Sequence, residues 1–168
     1  METEFEKASN INNHLQKSAI FYTDAGILYR VKLRKFKKLL RQVESLQVSY
    51  SDFLSVYLLM GYSLENLFNG VLIKTGKIPI KQNEKIQTLN HNLQYRIKEF
   101  DYTFSNSQKE FLGLLSSIIT YGKYPNKKRL DTLNKKIDIT KKYVSIDKVI
   151  EHNKLFETIH TALFNRYN

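Results

Sequence analysis

Glu65 is the only charged side chain between residues 53 and 73, a stretch that is otherwise rich in Leu, Val, Ile, Met and Phe. A carboxylate among apolar residues needs hydrogen bonds or a nearby cation, because burial otherwise raises its pKa. Tyr62, Asn66 and Asn69 lie close to it in the chain, so we expect a polar strip on an apolar helix. The strip has two interpretations: an ion pair with a Lys, Arg or His of a neighbouring helix, or one wall of a nucleotide or RNA site.

Histidine is the second residue type that could do chemistry here. His91 opens a predicted helix, where it either caps the helix or bonds to a neighbour, or acts in catalysis. His152 falls on the apolar face of the last predicted helix, which favours a core or dimer-interface position. His91 and Glu65 are thus the candidates for a catalytic role, and both have a structural alternative.

The sequence lacks the residues and motifs that several types of enzyme reaction require. The chain has no Cys, no HExxH pair, no phosphate-cradling Gly-rich loop and no Gly-x-Ser-x-Gly elbow. His152 and His160 are eight residues apart, more than two turns of a helix. We therefore expect neither a metal site nor a cofactor.

Positive charge is concentrated in two stretches of a chain whose net charge is +11. Residues 30–41 hold seven basic residues and no acid, and residues 127–142 hold seven basic and two acidic residues. The first stretch is amphipathic at helical spacing, with its basic side chains opposite Leu33 and Phe36. Clustered cations favour binding to a polyanion such as RNA, and a solvated surface is the alternative. The expected phosphate contacts are Arg30, Arg34, Lys37, Lys38 and Arg41.

A second set of nucleic-acid contacts is expected at the end of the fourth helix. Tyr121 and Tyr124 offer rings for stacking, and Lys123 offers a phosphate contact. Alternatively, the two tyrosines cover the end of the bundle.

The chain has only 6 Gly and 2 Pro, the residues that most often interrupt helices. This composition favours an all-α domain that spans residues 1–168. We expect an up-and-down bundle of about five helices. Gly61 and Gly70 in the second helix indicate close approach of a neighbouring helix. For residues 126–143 a basic loop and a short helix both remain open. The helices are predicted near 9–45 (with a break allowed at Gly26), 51–75, 90–100, 105–122 and from 145 onward.

Two features of the sequence bear on the location of the protein. The N-terminal residues are acidic and polar, unlike a signal or transit peptide. The apolar region around residues 53–73 is interrupted by Ser, Glu and Asn, which a lipid-spanning helix tolerates poorly. We expect a cytoplasmic protein with no membrane association.

Three stretches, in this order, are similar to motifs of the HEPN family of helical bundles. They are YLLMGYSLENLFNGVLI at 57–73, NHNL at 90–93 and YGKYP at 121–125. The chain departs from the family pattern at Asn69, Asn90, Asn92 and Lys123, where Lys, Gly, Asp and Arg are usual. Ribonuclease members carry an Arg four to six residues before a His, and none of the four His residues has one.

The resemblance implies a helical bundle, homodimerisation, and association with RNA, nucleotides, or defence and toxin–antitoxin systems. It does not imply catalysis. We therefore expect a non-catalytic HEPN-like module that binds RNA or a nucleotide, or assists a partner protein that does. The polar site would comprise Tyr62, Glu65, Asn69, His91, Tyr121 and Tyr124. The alternatives are a divergent metal-independent ribonuclease that uses His91 or His152, and a structural homodimer or protein-interaction bundle.

Overall fold

The computed structural model describes residues 4–40, 47–77, 92–123 and 143–167. Within these ranges the chain forms five α-helices, one 3-10 turn and a two-stranded antiparallel ladder. The elements are α1 (Glu4–Leu40), β1 (Gln47–Ser49), α2 (Tyr50–Lys74), α3 (Leu93–Arg96), the 3-10 turn (Ile97–Glu99), α4 (Asn106–Lys123), β2 (Tyr143–Ser145) and α5 (Ile146–Tyr167). The predicted all-α fold class is confirmed.

The first helix, α1, is continuous through Gly26 and begins at Glu4, ahead of the predicted start. A Cβ at Gly26 would meet only Arg30 Nη1, at 3.6 Å. The glycine therefore serves no close helix contact, and the break allowed there does not occur. Glycine lowers the helix propensity at this position, and no close packing contact compensates for it.

The second helix, α2, lies at the centre of the bundle. Most of its side chains are buried, and they pack against α1, α4 and α5. Residues 52–74 are long and apolar enough to cross a membrane by length and composition. Because 72% of that span is buried inside the bundle, it has the character of the core helix of a soluble protein.

The end of α2 is a Schellman motif. Gly76 has a φ of 70°, a left-handed conformation that glycine adopts without steric cost. Its backbone N–H donates to Ile73 O, and the next N–H, of Lys77, donates to Leu72 O. These bonds satisfy carbonyls that the helix leaves unpaired, and the helix end predicted near residue 75 is confirmed.

Two other glycines of α2 permit the close helix packing that the sequence predicted. A Cβ at Gly61 would lie 2.7 Å from Ile119 Cγ1 on α4. A Cβ at Gly70 would lie 2.8 Å from Leu15 Cδ2 on α1. Both distances are too short for real carbon atoms, so each neighbouring side chain occupies the space that glycine leaves.

The four long helices alternate in direction. In the contacts between neighbouring helices, residue numbers rise along one helix as they fall along the other, which shows that the two are antiparallel. The pairs are Ser18–Ser63 and Phe36–Phe53 between α1 and α2, Gly61–Ile119 and Phe68–Phe104 between α2 and the α4 region, and Ser18–His160 and Tyr22–Phe156 between α1 and α5. The up-and-down order is therefore present in the described helices.

The two short strands were not predicted. Val48 of β1 pairs with Val144 of β2, and both side chains are buried. The ladder precedes both α2 and α5, so it ties the starts of these helices together. Three-residue strands are too short for a period-2 pattern to stand out in the sequence.

The connection into α4 is a capping box. Gln108 N–H donates to Ser105 Oγ at 3.2 Å, and Ser105 N–H donates to Gln108 Oε1 at 2.9 Å. Ser105, at the predicted start of the fourth helix, is therefore the N-cap. The predicted basic segment 126–143 lies outside the described residues, except for Tyr143 at the start of β2.

Candidate functional site

A shallow groove of about 350 Å³ lies between α1 and α2. Its lining combines one cation, one carboxylate, two amides and two aromatic rings. The lining residues are Lys17 and Phe21 from α1, and Tyr62, Glu65, Asn66 and Asn69 from α2. The polar strip predicted from the sequence is therefore one wall of a groove, and α1 supplies the other wall.

Glu65 is enclosed by its neighbours, with 7% of its surface exposed. Its charge acts on three groups from three elements. It raises the pKa of His14 and of Arg96 against the lowering effect of burial, and it adds to the burial that raises the pKa of Tyr62. Glu65 thus acts electrostatically on an arginine, a histidine and a tyrosine, and it also lines the groove. The two interpretations of the strip both stay predictions.

Arg96 lies behind the groove and is only 2% exposed. Its Nη1 donates to Asn69 Oδ1 at 2.8 Å. Within the described part of the chain, Nε and Nη2 meet no hydrogen-bond acceptor, although Nε lies 4.0 Å from Glu99 Oε2. Burial lowers the pKa of Arg96, and the charges of Glu99 and Glu65 oppose that shift.

The amide of Asn69 is oriented by this contact. A guanidinium has donors and no acceptor, so only the amide oxygen can face Arg96. The Nδ2 amino group, which is the donor end, therefore points away from Arg96. Because Asn69 lines the groove, this bond fixes the orientation of an amide in the groove wall.

The amide of Asn66 is held at both ends. Its Nδ2 donates to Tyr62 O at 2.8 Å, so its Oδ1 is the atom that lies 3.2 Å from His14 Nδ1. Burial lowers the pKa of His14, which is therefore neutral near pH 7 and donates through Nδ1–H. Asn66 is a rigid part of the wall rather than a free ligand group.

The aromatic part of the groove is formed by Phe21 and Tyr62. Their ring centroids lie 5.8 Å apart with an angle of 49° between the ring planes. Lys17, one turn before Phe21 on α1, is exposed at the groove. Aromatic rings beside an exposed cation are the combination that stacks a base and contacts a phosphate.

The cationic stripe of α1 comprises Arg30, Arg34, Lys37 and Lys38, all exposed. The opposite face of α1 packs Leu33 and Phe36 against the core. Lys17 and Arg34 are 17 residues apart, so the stripe lies about 25 Å along the helix from the groove. Arg41, the fifth predicted member, lies outside the described residues.

His152 is a core residue, as its place on the apolar face predicted. Its Nδ1 lies 2.9 Å from Tyr57 Oη, and its ring stacks on Phe111 with centroids 5.2 Å apart. Burial lowers the pKa of His152 to about 4, with Lys148 contributing in the same direction. The residue is neutral and enclosed, without access to a substrate.

His160 takes part in a serine cluster that the sequence did not indicate. Its Nε2 lies 3.1 Å from Ser18 Oγ, and Ser63 Oγ donates to Ser18 O at 2.9 Å. The pair has the atoms of a Ser–His nucleophile, but both serines are fully buried. Burial lowers the pKa of His160 to about 4, so the cluster is a polar link inside the core.

The structure brings together only part of the predicted polar site. Tyr62, Glu65 and Asn69 share the groove. His91 and Tyr124 lie outside the described residues, and for Tyr121 and Lys123 only the backbone, in the last turn of α4, is described.

Sequence reasoning missed His14, Lys17, Phe21 and Arg96. The first three have helical spacing of three and four residues on one flank of α1, which is the only signal that could have grouped them. Arg96 stands at helical spacing with Leu93 and so belongs to the buried side of α3.

Within the described residues, no three His, Asp or Glu side chains come together as a metal site would require. No family model, no curated protein and no solved structure matches the chain. The assignment of a function therefore depends on the chemistry of the groove and of the cationic stripe.

Proposed function

We propose that this chain is a non-catalytic, HEPN-like module that binds RNA or a nucleotide. The observation that carries the proposal is the groove, in which Phe21 and Tyr62 adjoin the amide donor of Asn69 and the cation of Lys17. Stacking surfaces combined with fixed polar groups are how proteins hold unstacked bases. The enclosed carboxylate of Glu65 adds a charged group to the polar wall of the groove.

The cationic stripe supports RNA as the larger ligand. Four exposed basic side chains on one continuous helix offer phosphate contacts. Residues 30–41 contain no acid that would neutralise them. Counterion release from the RNA would supply most of the affinity, and the groove would hold one base.

A binding role without catalysis fits the groups near the groove. His14 uses Nδ1–H to hold Asn66, and the family's Arg-to-His spacing is missing from the sequence. The proposal therefore takes the bundle and RNA association from the resemblance, and it does not include RNA cleavage.

The test is fluorescence anisotropy of a labelled single-stranded RNA at increasing salt. We expect log Kobs to fall linearly with log salt, and the variant Arg30→Gln/Arg34→Gln/Lys37→Gln/Lys38→Gln to flatten that slope by up to about 3, at about 0.7 for each phosphate contact of a single strand. The matched control removes four basic side chains elsewhere. It is Lys98→Gln/Lys109→Gln/Lys154→Gln/Arg166→Gln.

Equal slopes for the two quadruple variants would show that net charge, rather than the stripe, attracts the RNA. An affinity independent of salt, or the absence of binding in low salt, would overturn the proposal itself. Unchanged far-ultraviolet circular dichroism of both variants is the required check of folding.

A second candidate function, a structural homodimer, is favoured by the outer face of α1. Ile20, Ile27 and Val31 are about half exposed, at 51%, 50% and 57%. Their spacings of seven and four residues place them in one row, as in the seam of a two-helix coiled coil. A second copy of α1 would cover this row.

Light scattering after gel filtration tests the dimer. We expect a mass of two chains for the wild type and of one chain for Ile27→Lys. The control Thr158→Lys adds the same charge at an exposed site on α5, away from the row, and should leave the mass unchanged. A wild-type mass of one chain at high concentration would contradict this candidate.

A further inference from the structure

The groove presents a defined order of hydrogen-bonding groups. Asn69 directs its Nδ2 donor away from Arg96, because Arg96 Nη1 already occupies the amide oxygen. Glu65, one helical turn earlier on α2, offers only acceptors when ionised. The groove wall thus carries a carboxylate and, one helical turn further along α2, an amide whose oxygen is already bonded to Arg96.

Glu65 can accept bonds from a ligand in addition to those it makes within the protein. Each of its two oxygens carries two lone pairs, about four acceptor positions in all. The carboxylate lines the groove opposite α1, which carries the exposed ammonium of Lys17, and its charge acts on the buried cation of Arg96. A neutral ligand that donates hydrogen bonds suits it better than an anion.

We propose that the groove binds a guanine base, an inference that rests on the proposed function and names its ligand. Guanine carries two adjacent donors, N1–H and the N2 amino group, followed by the O6 acceptor. Glu65 would accept both donors, and Asn69 Nδ2 would donate to O6. Bidentate bonds to a charged acceptor are among the strongest that a base edge forms.

The other groove residues fit the rest of a guanine nucleotide. Tyr62 and Phe21 offer ring surface for stacking on the base. Lys17, exposed beside Phe21, is the cation within reach of a phosphate. A volume of about 350 Å³ is at the small end of ligand sites, which suits one base and leaves the ribose and phosphate in solvent.

The remaining bases match this wall less well. Adenine and cytosine each offer a single amino donor on the Watson–Crick edge, next to a ring nitrogen that accepts and would face the carboxylate. Uracil has one N–H between two carbonyl acceptors. A buried carboxylate that faces an acceptor is a repulsive contact, so the groove discriminates by mismatch as well as by attraction.

The experiment is titration calorimetry of the full chain with GMP, IMP, AMP, CMP and UMP. IMP is guanine nucleotide without the N2 amino group, so it removes one bond to Glu65 and nothing else. We expect GMP to bind most tightly and IMP about tenfold more weakly, the usual effect of one hydrogen bond to a charged group. AMP, CMP and UMP should bind more weakly than IMP.

Two variants locate the selectivity. Glu65→Gln replaces one acceptor by a donor, so we expect the preference for GMP over AMP to vanish. Asn69→Asp keeps an acceptor for Arg96, which preserves the fold, but offers no donor to O6 and should lower GMP affinity by about tenfold. The control is Glu110→Gln, an exposed carboxylate on α4, which should leave GMP binding as in the wild type.

The outcomes separate this inference from the proposed function. Equal affinities for GMP, IMP and AMP, or no mononucleotide binding alongside salt-dependent RNA binding, would overturn guanine recognition and leave RNA binding intact. If the wild type binds neither RNA nor any mononucleotide, guanine recognition and the proposed function are both overturned. A Glu110→Gln effect as large as that of Glu65→Gln would also overturn the assignment to the groove.

Discussion

Arg96 Nη1 donates to Asn69 Oδ1 across 2.8 Å, joining the short helix α3 to the central helix α2. This bond fixes the direction in which Asn69 faces the groove. It also leaves Nε and Nη2 of a buried guanidinium without an acceptor among the described residues. A buried donor that lacks a partner costs free energy, so Arg96 is a poor choice for stability alone.

Substitution of Arg96 separates packing from polarity. Arg96→Ala should lower the free energy of unfolding by about 2–4 kcal/mol, because it removes a buried side chain whose guanidinium lies over the Phe68 ring. Arg96→Met keeps most of that volume without the unpaired donors, and should stay within about 1 kcal/mol of the wild type. Urea denaturation measures both. A Met variant as unstable as the Ala variant would show that the guanidinium itself stabilises the fold.

Glycine substitutions test the close packing of α2. Gly61→Ala brings a Cβ to 2.7 Å from Ile119 Cγ1, so overpacking should outweigh the helix-propensity gain and lower the stability by about 1 kcal/mol. Gly26→Ala is the matched control, because its nearest contact, 3.6 Å, is ordinary. There we expect a gain of about 0.5–1 kcal/mol. Thermal melts of the two variants should therefore shift in opposite directions, and shifts of the same sign would contradict the packing argument.

The two core histidines make stability depend on pH. The folded pKa of His152 and of His160 is about 4, below the ordinary 6.5. Between pH 4 and pH 6.5 the unfolded chain therefore binds more protons than the folded chain does. Stability is fully present above pH 6.5 and falls as the pH drops toward 4, by on the order of 3 kcal/mol for each histidine.

The measurement is urea denaturation at a series of pH values, for the wild type and for His160→Gln. Carboxylates also titrate in the lower part of this range, so the informative quantity is the difference between the two proteins. We expect the variant to be less stable at pH 7 and its pH dependence to be shallower. Parallel curves from pH 7 to 4 would show that His160 does not change its proton affinity on folding.

The sequence predicted the centre of the fold well because α2 is a single helix with an unambiguous pattern. Its spacing alone brings Tyr62, Glu65 and Asn69 to one side, with no reference to the rest of the bundle. The stop at Gly76 and the close approach at Gly61 also depend on local backbone chemistry.

The other wall of the groove depends on tertiary packing. His14, Lys17 and Phe21 meet α2 because Leu15 fills the space at Gly70 and so sets the register of the two helices. Many registers are compatible with two amphipathic helices, and the sequence does not rank them. The burial of Arg96 could not be predicted either, because an Arg is normally expected at the surface.

Chemical-shift mapping of the full chain with a short single-stranded RNA at low salt tests the account most directly. We predict shifts in two groups: the backbone amides of residues 30–38, and the Asn69 side-chain amide with its neighbours Lys17 and Tyr62. Raised salt should reverse the first group. Shifts confined to another surface, such as the exposed side of α5, or no shifts at millimolar RNA, would contradict it.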